Sequence, residues 1–196
     1  VMQLEPWSII ARYDKLTKRP NDMEAMAQII REYQGIPYKI ECAVHIRLGD
    51  VIDNHTRSVD DFLYAKDEDY DGWDLMNGVS WKGGHCGTDV CLSEGYVKPL
   101  AYFDRLMGNL PAHVRNIMLI SGSHKQTKNP EKSQDYLRRL KNHLVAKGYN
   151  VKIRWNKQAD DDFVTICRAK YIIATRGGFS QLAAMVGQHM GAVILS

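Results

Sequence analysis

Apolar and polar positions alternate along the chain with two different periods, separated by a long stretch that has neither. Residues 22–34, DMEAMAQIIREYQ, set Met23, Met26, Ile29, Ile30 and Tyr33 three and four apart, which predicts an amphipathic helix. Asn21 or Asp22 is available as its cap, and Gly35 and Pro37 end it. Residues 40–46 then read as a strand entering the core. From Leu48 to Gly95 the periodicity fades, through an acidic half and a glycine-rich half that also carries aromatics. That length is too great for an ordinary connection, so the segment is either an active-site excursion, a small acceptor-binding lobe or a surface insertion.

Beyond it the pattern becomes regular. Helices are predicted over 99–110, 131–147, 160–169 and 179–186, and strands over 114–120, 149–155, 171–174 and 192–195. Pro111 closes the first of these helices, and Gly148 is placed to cap the second. Strands alternating with helices of this length predict an α/β fold: a mostly parallel sheet with helices on both faces. The expectation is one domain over 1–196, with 51–95 as an irregular insertion or a small acceptor-side lobe.

In such a sheet a ligand binds outside the carboxyl ends of the strands, where the strand order reverses. Three predicted strand exits carry polar residues suited to that place: 45–50, 121–124 and 175–180. Arg47 stands just past an apolar strand, where a guanidinium can give a diphosphate two parallel hydrogen bonds; an ordinary surface ion pair is the alternative. Gly49 lets the chain turn, and Asp50 can fix Arg47 or accept from backbone amides. His45 is either support for this exit or a satisfied core histidine.

The exit at 175–180 runs through Gly177 and Gly178 into a helix, so its amides and the Thr175 and Ser180 hydroxyls form an anion cradle. It lacks the lysine of the nucleoside-triphosphate loop and the third glycine of the dinucleotide fingerprint, which argues against both. Asp160, Asp161 and Asp162 either cap a helix or reach a base or ribose.

Composition narrows the classes. With 26 Lys plus Arg against 23 Asp plus Glu, the net charge of +3 is too small to point to nucleic acid. Arg138, Arg139, Lys141, Lys147 and Lys152 are interspersed with apolar positions and read as solvated faces. No apolar stretch reaches membrane-spanning length, and VMQLEPWSII lacks the basic head of a secretion signal. The chain begins on Val and is expected to be a piece of a longer polypeptide, so the compartment stays open between cytoplasm and secretory lumen. Cys42 and Cys167 lie in apolar runs and are expected to be buried thiols. Cys86 and Cys91, near His85 and Asp89, are a local disulfide, two free thiols or a weak zinc set.

The stretch HIRLGD, residues 45–50, resembles the H-x-R-R-x-D donor-site motif of the superfamily of α-1,2-, α-1,6- and protein O-fucosyltransferases. The stretch from Asp160 through CRAKYIIATRGGFSQLAA resembles the closing segment of the same superfamily's nucleotide-binding domain. Leu48 stands at the second motif arginine, and 121–124 lack the acidic pair often found after the middle strand.

The resemblance implies a Rossmann-like domain, the donor half of a GT-B architecture. It implies an inverting, metal-independent glycosyltransferase that takes a GDP-sugar, commonly GDP-fucose, and needs no cofactor. Arg47 would hold the β-phosphate and help GDP leave, with Asp50 beside it as the second catalytic candidate. His45, Gly49, Ser121, Asp160, Asp161, Thr175, Gly178, Phe179 and Ser180 would complete the donor site. Asp53, His55, Asp60, Asp61, Trp73 and Trp81 are candidates for the side facing a glycan or protein acceptor, and Asp50, Asp53, His55, Asp60 and Asp61 for deprotonating its hydroxyl. The rival expectations are a nucleotide-sugar-binding module with no activity of its own, and a transferase using a xylose, rhamnose or mannose donor.

Overall fold

The computed structural model of the chain describes residues 20–36, 40–54, 57–65, 96–123, 130–175 and 177–196. His55, Trp73, Trp81, Cys86 and Cys91 lie outside them, as does the Asp50 side chain.

Helix α1 spans Pro20–Glu32. It starts earlier than its apolar spacing suggests, and Asn21 and Asp22 fall inside its first turn; the fixed φ of proline suits the first helical position. Strand β1, Ile40–His45, leads into a short 3-10 turn at Gly49–Val51. Helix α2, Val59–Leu63, opens with a capping box in which Ser58 and Asp61 satisfy each other's backbone amides. Helix α3, Leu100–Met107, ends at Gly108, short of the expected Leu110. Then follow β2 (Asn116–Ser121), α4 (Glu131–Ala146), β3 (Asn150–Trp155), α5 (Ala159–Cys167), β4 (Ala169–Ala174), α6 (Gly178–His189) and β5 (Val193–Leu195). At the end of α4, Gly148 N–H donates to Val145 O and Tyr149 N–H to Leu144 O, the paired bonds of a Schellman stop.

All five strands are parallel, in the order β3-β2-β1-β4-β5. Side-chain alternation sorts them between two cores. Cys42, Val44, Leu119 and Ile173 join Phe62, Phe103 and Tyr136 from α2, α3 and α4 on one face. Ala43, Ile120, Ile172 and Ala174 join Ile30, Phe163 and Leu182 from α1, α5 and α6 on the other. Runs such as Ile172-Ile173-Ala174 are continuously apolar because both faces are covered. The fold is a doubly wound α/β sheet, as the alternation of periods predicts. Cys42 and Cys167 are buried free thiols, and burial pushes both pKa values up, that of Cys42 to about 12.

One buried arginine fastens the outermost helix. Arg168, at the end of α5, donates from Nη1 to Ile36 O and from Nη2 to Ile30 O, Tyr33 O and Arg31 O. Carbonyls in and just after the last turn of α1, where the helical ladder runs out, accept from the Arg168 guanidinium.

Candidate functional site

The connection after β1 leads outward through β2 to β3, and the chain then returns to place β4 on the other side of β1. The strand order therefore reverses between β1 and β4, which is where the ligand crevice of such a sheet is expected, beyond their carboxyl ends. Register brings those ends level: His45 pairs with Ile120 on β2 and with Ala174 on β4. Two exits that are 128 residues apart in sequence emerge side by side.

Main-chain and hydroxyl bonds hold them together. Thr175 N–H donates to His45 O (3.2 Å) and Ile46 N–H to Ile120 O (3.0 Å). Ser121 Oγ donates to Ile46 O at 2.7 Å, so its hydroxyl proton ties β2 to the end of β1. The buried Thr175 Oγ1 accepts from Arg47 N–H at 3.4 Å, which sets where the Arg47 side chain starts.

Gly177 has a φ of +101°, open only to glycine, and it turns the chain straight from strand into α6. The first intrahelical bond runs from Gln181 N–H to Gly177 O. The amides of Gly178, Phe179 and Ser180 therefore precede the helical ladder and carry the positive end of the helix dipole. A Cβ on Gly178 would meet no atom within 4 Å. Further along, a Cβ on Gly187 would overlap Ile172, so α6 lies close against β4.

Behind this turn His45 Nδ1 is 2.5 Å from Oγ of the fully buried Ser180, and its ring packs 5.0 Å from that of Phe179. Phe179 in turn meets Phe163 edge-on at 5.6 Å. Burial, and then the Arg47 charge nearby, push the His45 imidazolium down to a pKa of about 4. His45 is thus neutral near pH 7 and links the end of β1 to the start of α6.

The acidic turn divides its work. Asp161 accepts from Tyr33 Oη at 2.6 Å and stands 3.6 Å from Arg154, whereas Asp162 pairs with Arg154 Nε. Burial raises the Asp162 carboxyl to about 6 against the pull of Arg154. Burial and the Asp161 bond raise the Tyr33 phenol to about 12. Asp160 is buried at the start of α5. Gln158, in the cap position, gives no side-chain bond.

Gly49, with φ +74°, opens the 3-10 turn that contains Asp50, and its N–H donates to Ser133 Oγ at 2.9 Å. Ser133 Oγ donates to Asp53 Oδ2 (2.6 Å), and Ser133 N–H to Asp53 Oδ1 (2.8 Å). Asp53 thereby caps α4 from another part of the chain. Asp60 pairs with Arg139 at 2.6 Å, and Asp61 with Ser58. The carboxylates expected on the acceptor side are each engaged in local structure. Among the described residues no group of three His, Cys, Asp or Glu side chains is placed to hold a metal ion, and no helix is long and apolar enough to cross a membrane.

Sequence reasoning missed two contributors. Tyr96 packs its ring on Arg47, with Cζ 4.9 Å from the ring centroid, and no periodicity marks it. Ser133 holds Gly49, but its partner Asp53 is 80 residues away and no local pattern couples them.

No protein-family model matches the chain, and no curated protein does. A crystal structure of POFUT1 in complex with GDP is similar with a TM-score of 0.42 and 13% sequence identity, over 96% of this chain and 49% of that one. The chain thus spans about half the length of the solved structure it matches. That likeness is distant, and the strand order and site geometry stand without it.

Proposed function

We propose that this chain is the donor-binding domain of a glycosyltransferase, related to the donor half of GT-B enzymes, that takes a GDP-sugar. GDP-fucose is the first donor to test, with a glycan or protein hydroxyl as acceptor. The observation that carries the reading is the meeting of Arg47 with the Gly177 turn at the β1/β4 reversal. A guanidinium and a helix start converge there, both suited to a diphosphate. The HIRLGD motif supports the choice of donor.

On this reading the Arg47 N–H groups and the first amides of α6 take the diphosphate and stabilise its charge as the bond to the anomeric carbon breaks. The acceptor oxygen attacks that carbon from the opposite side, which inverts it. These groups supply the positive charge that a metal ion would otherwise provide. His45, neutral and tied to Ser180, adds no charge of its own to the turn and leaves the attraction to Arg47 and the helix start.

Titration calorimetry of the chain with GDP, UDP and ADP, with and without magnesium, tests it. GDP should bind in preference, without metal, and Arg47→Ala should weaken it by about 30-fold, the loss expected for a charge-assisted contact. Binding that ignores Arg47, or that favours UDP or ADP, overturns the reading.

A further inference from the structure

Tyr96 belongs to no strand and no motif, yet it lies against the one side chain on which the proposed site turns. Its ring centroid is 4.9 Å from Arg47 Cζ. A Cβ built on Gly177 would lie 3.5 Å from Tyr96 Cε1 and 3.6 Å from Arg47 Cδ, so both side chains border the space that the missing side chain of Gly177 leaves open. The main chain of Arg47 is meanwhile bonded to Thr175 Oγ1. Arg47 is therefore fixed at its amide by Thr175, just past β4, and faces an aromatic ring with its guanidinium, while its stem runs past the bare backbone of Gly177.

A ring that lies flat on a guanidinium directs its N–H donors sideways, in the plane where a planar fork meets two phosphate oxygens, and the 4.9 Å separation is close enough for the ring to act on the guanidinium in this way. Fixing that plane before the ligand arrives removes the cost of ordering a long, flexible side chain on binding. A lysine ammonium has no plane to fix and gains less from such a support.

We propose that Tyr96 is a positioning residue that holds the Arg47 guanidinium ready for a diphosphate and makes this position specific for arginine. The proposal rests on the reading of Arg47 as a diphosphate ligand. It adds a residue that touches no substrate and acts only through Arg47.

The test uses the full chain with Tyr96→Phe, Tyr96→Leu, Arg47→Lys, Arg47→Ala and the Tyr96→Leu/Arg47→Ala double variant. Pyrophosphate and GDP are the calorimetric probes, and NMR of the Arg47 Nε–Hε group is the second readout. Tyr96→Phe, which keeps the ring, should bind like the parent. Tyr96→Leu should weaken both probes about three- to tenfold, and should add nothing once Arg47 is Ala. Arg47→Lys should lose its disadvantage in part when Tyr96 is Leu. In the ligand-free chain the Arg47 Nε–Hε signal should be ring-shifted and rigid, and Tyr96→Leu should return it to a mobile, unshifted position.

Equal affinity in the parent and Tyr96→Leu, alongside a loss in Arg47→Ala, overturns the proposal, as does an equal loss from Tyr96→Leu in the Arg47→Ala background. If the parent binds neither probe, the diphosphate reading fails separately, and the proposal falls with it for want of a ligand to present. If Tyr96→Leu does not fold, the parent's Nε–Hε signal decides: a mobile, unshifted signal overturns the proposal, and a rigid, shifted one with full binding in Tyr96→Phe supports it.

Discussion

The two ends of the sheet make opposite use of their polar residues. At the amino end an open cleft of about 710 Å³ is lined by Ile40, Glu41, Asn116, Lys152, Arg168 and Met190, among others. Its polar groups serve the fold: Glu41 accepts from the Arg115 and Asn116 amides and from Asn116 Nδ2, while Arg168 is bonded to four carbonyls around the end of α1. At the carboxyl end a glycine-only turn, a helix start and a ring-packed arginine converge. The difference teaches that polar groups lining a cleft can be spent on the backbone around it, as Glu41 and Arg168 are. What distinguishes the carboxyl end is that a guanidinium and the first amides of a helix meet there.

Arg168→Ala should produce the largest effect. It strips donors from the buried Ile30 carbonyl and from three part-buried ones and frees α1, so urea unfolding should show a loss of about 3 kcal/mol. Nucleotide binding by the remaining folded molecules should be intact if the proposed site at the carboxyl end is the one that binds. A loss of GDP affinity at full folding would erase the distinction between the two ends.

Gly177→Ala should cost about 1–3 kcal/mol, since alanine must adopt φ +101° there. Unlike Arg168→Ala, it should also weaken GDP binding. Ser133→Ala should follow at about 1–2 kcal/mol, having removed the acceptor for the Gly49 amide and a donor to Asp53.

Acid sharpens the contrast further. The His45 pKa falls from 6.5 in the unfolded chain to about 4 in the folded one, so the unfolded chain takes up the proton first. The contribution of His45 to stability is therefore complete above about pH 6.5 and declines as the pH drops toward 4. His45→Gln should flatten that part of the stability profile, and an unchanged profile would count against the buried, neutral imidazole. The smallest effect should come from Asp60→Asn, which breaks only an exposed pair with Arg139 and should leave Tm unmoved.

Much of the layout was legible because it depends on local periodicity. Helix α4 and its stop at Gly148 follow from spacing and from one glycine, and the parallel sheet follows from continuous apolar runs such as residues 171–174. Arg47 and Gly177 could be singled out because each interrupts such a run. Boundaries were less legible: α1 gains a turn at Pro20, and α3 ends at Gly108, before its apolar pattern does. The cross-chain supports were not legible at all. Nothing near Ser133 indicates Asp53, and nothing near Tyr96 indicates Arg47, because those contacts exist only once the segments that follow β1 pack against parts of the chain 49 to 80 residues further on. The acidic triplet shows the same limit, since Tyr33 and Arg154 decide which carboxylate does what.

The position of β1 also governs the order in which the molecule can assemble. Its central strand pairs on one side with β2 and on the other with β4, and the residues joined at the site are 128 and 135 apart in sequence. During synthesis β1 acquires its first partner long before its second, and one apolar edge stays open until the last two strands leave the ribosome. Closing so long a loop makes folding slow for a domain of this size, and the half-built sheet is open to pairing with the wrong chain. The same late event that completes the sheet also builds the crevice, so an incompletely folded molecule should have no nucleotide affinity at all.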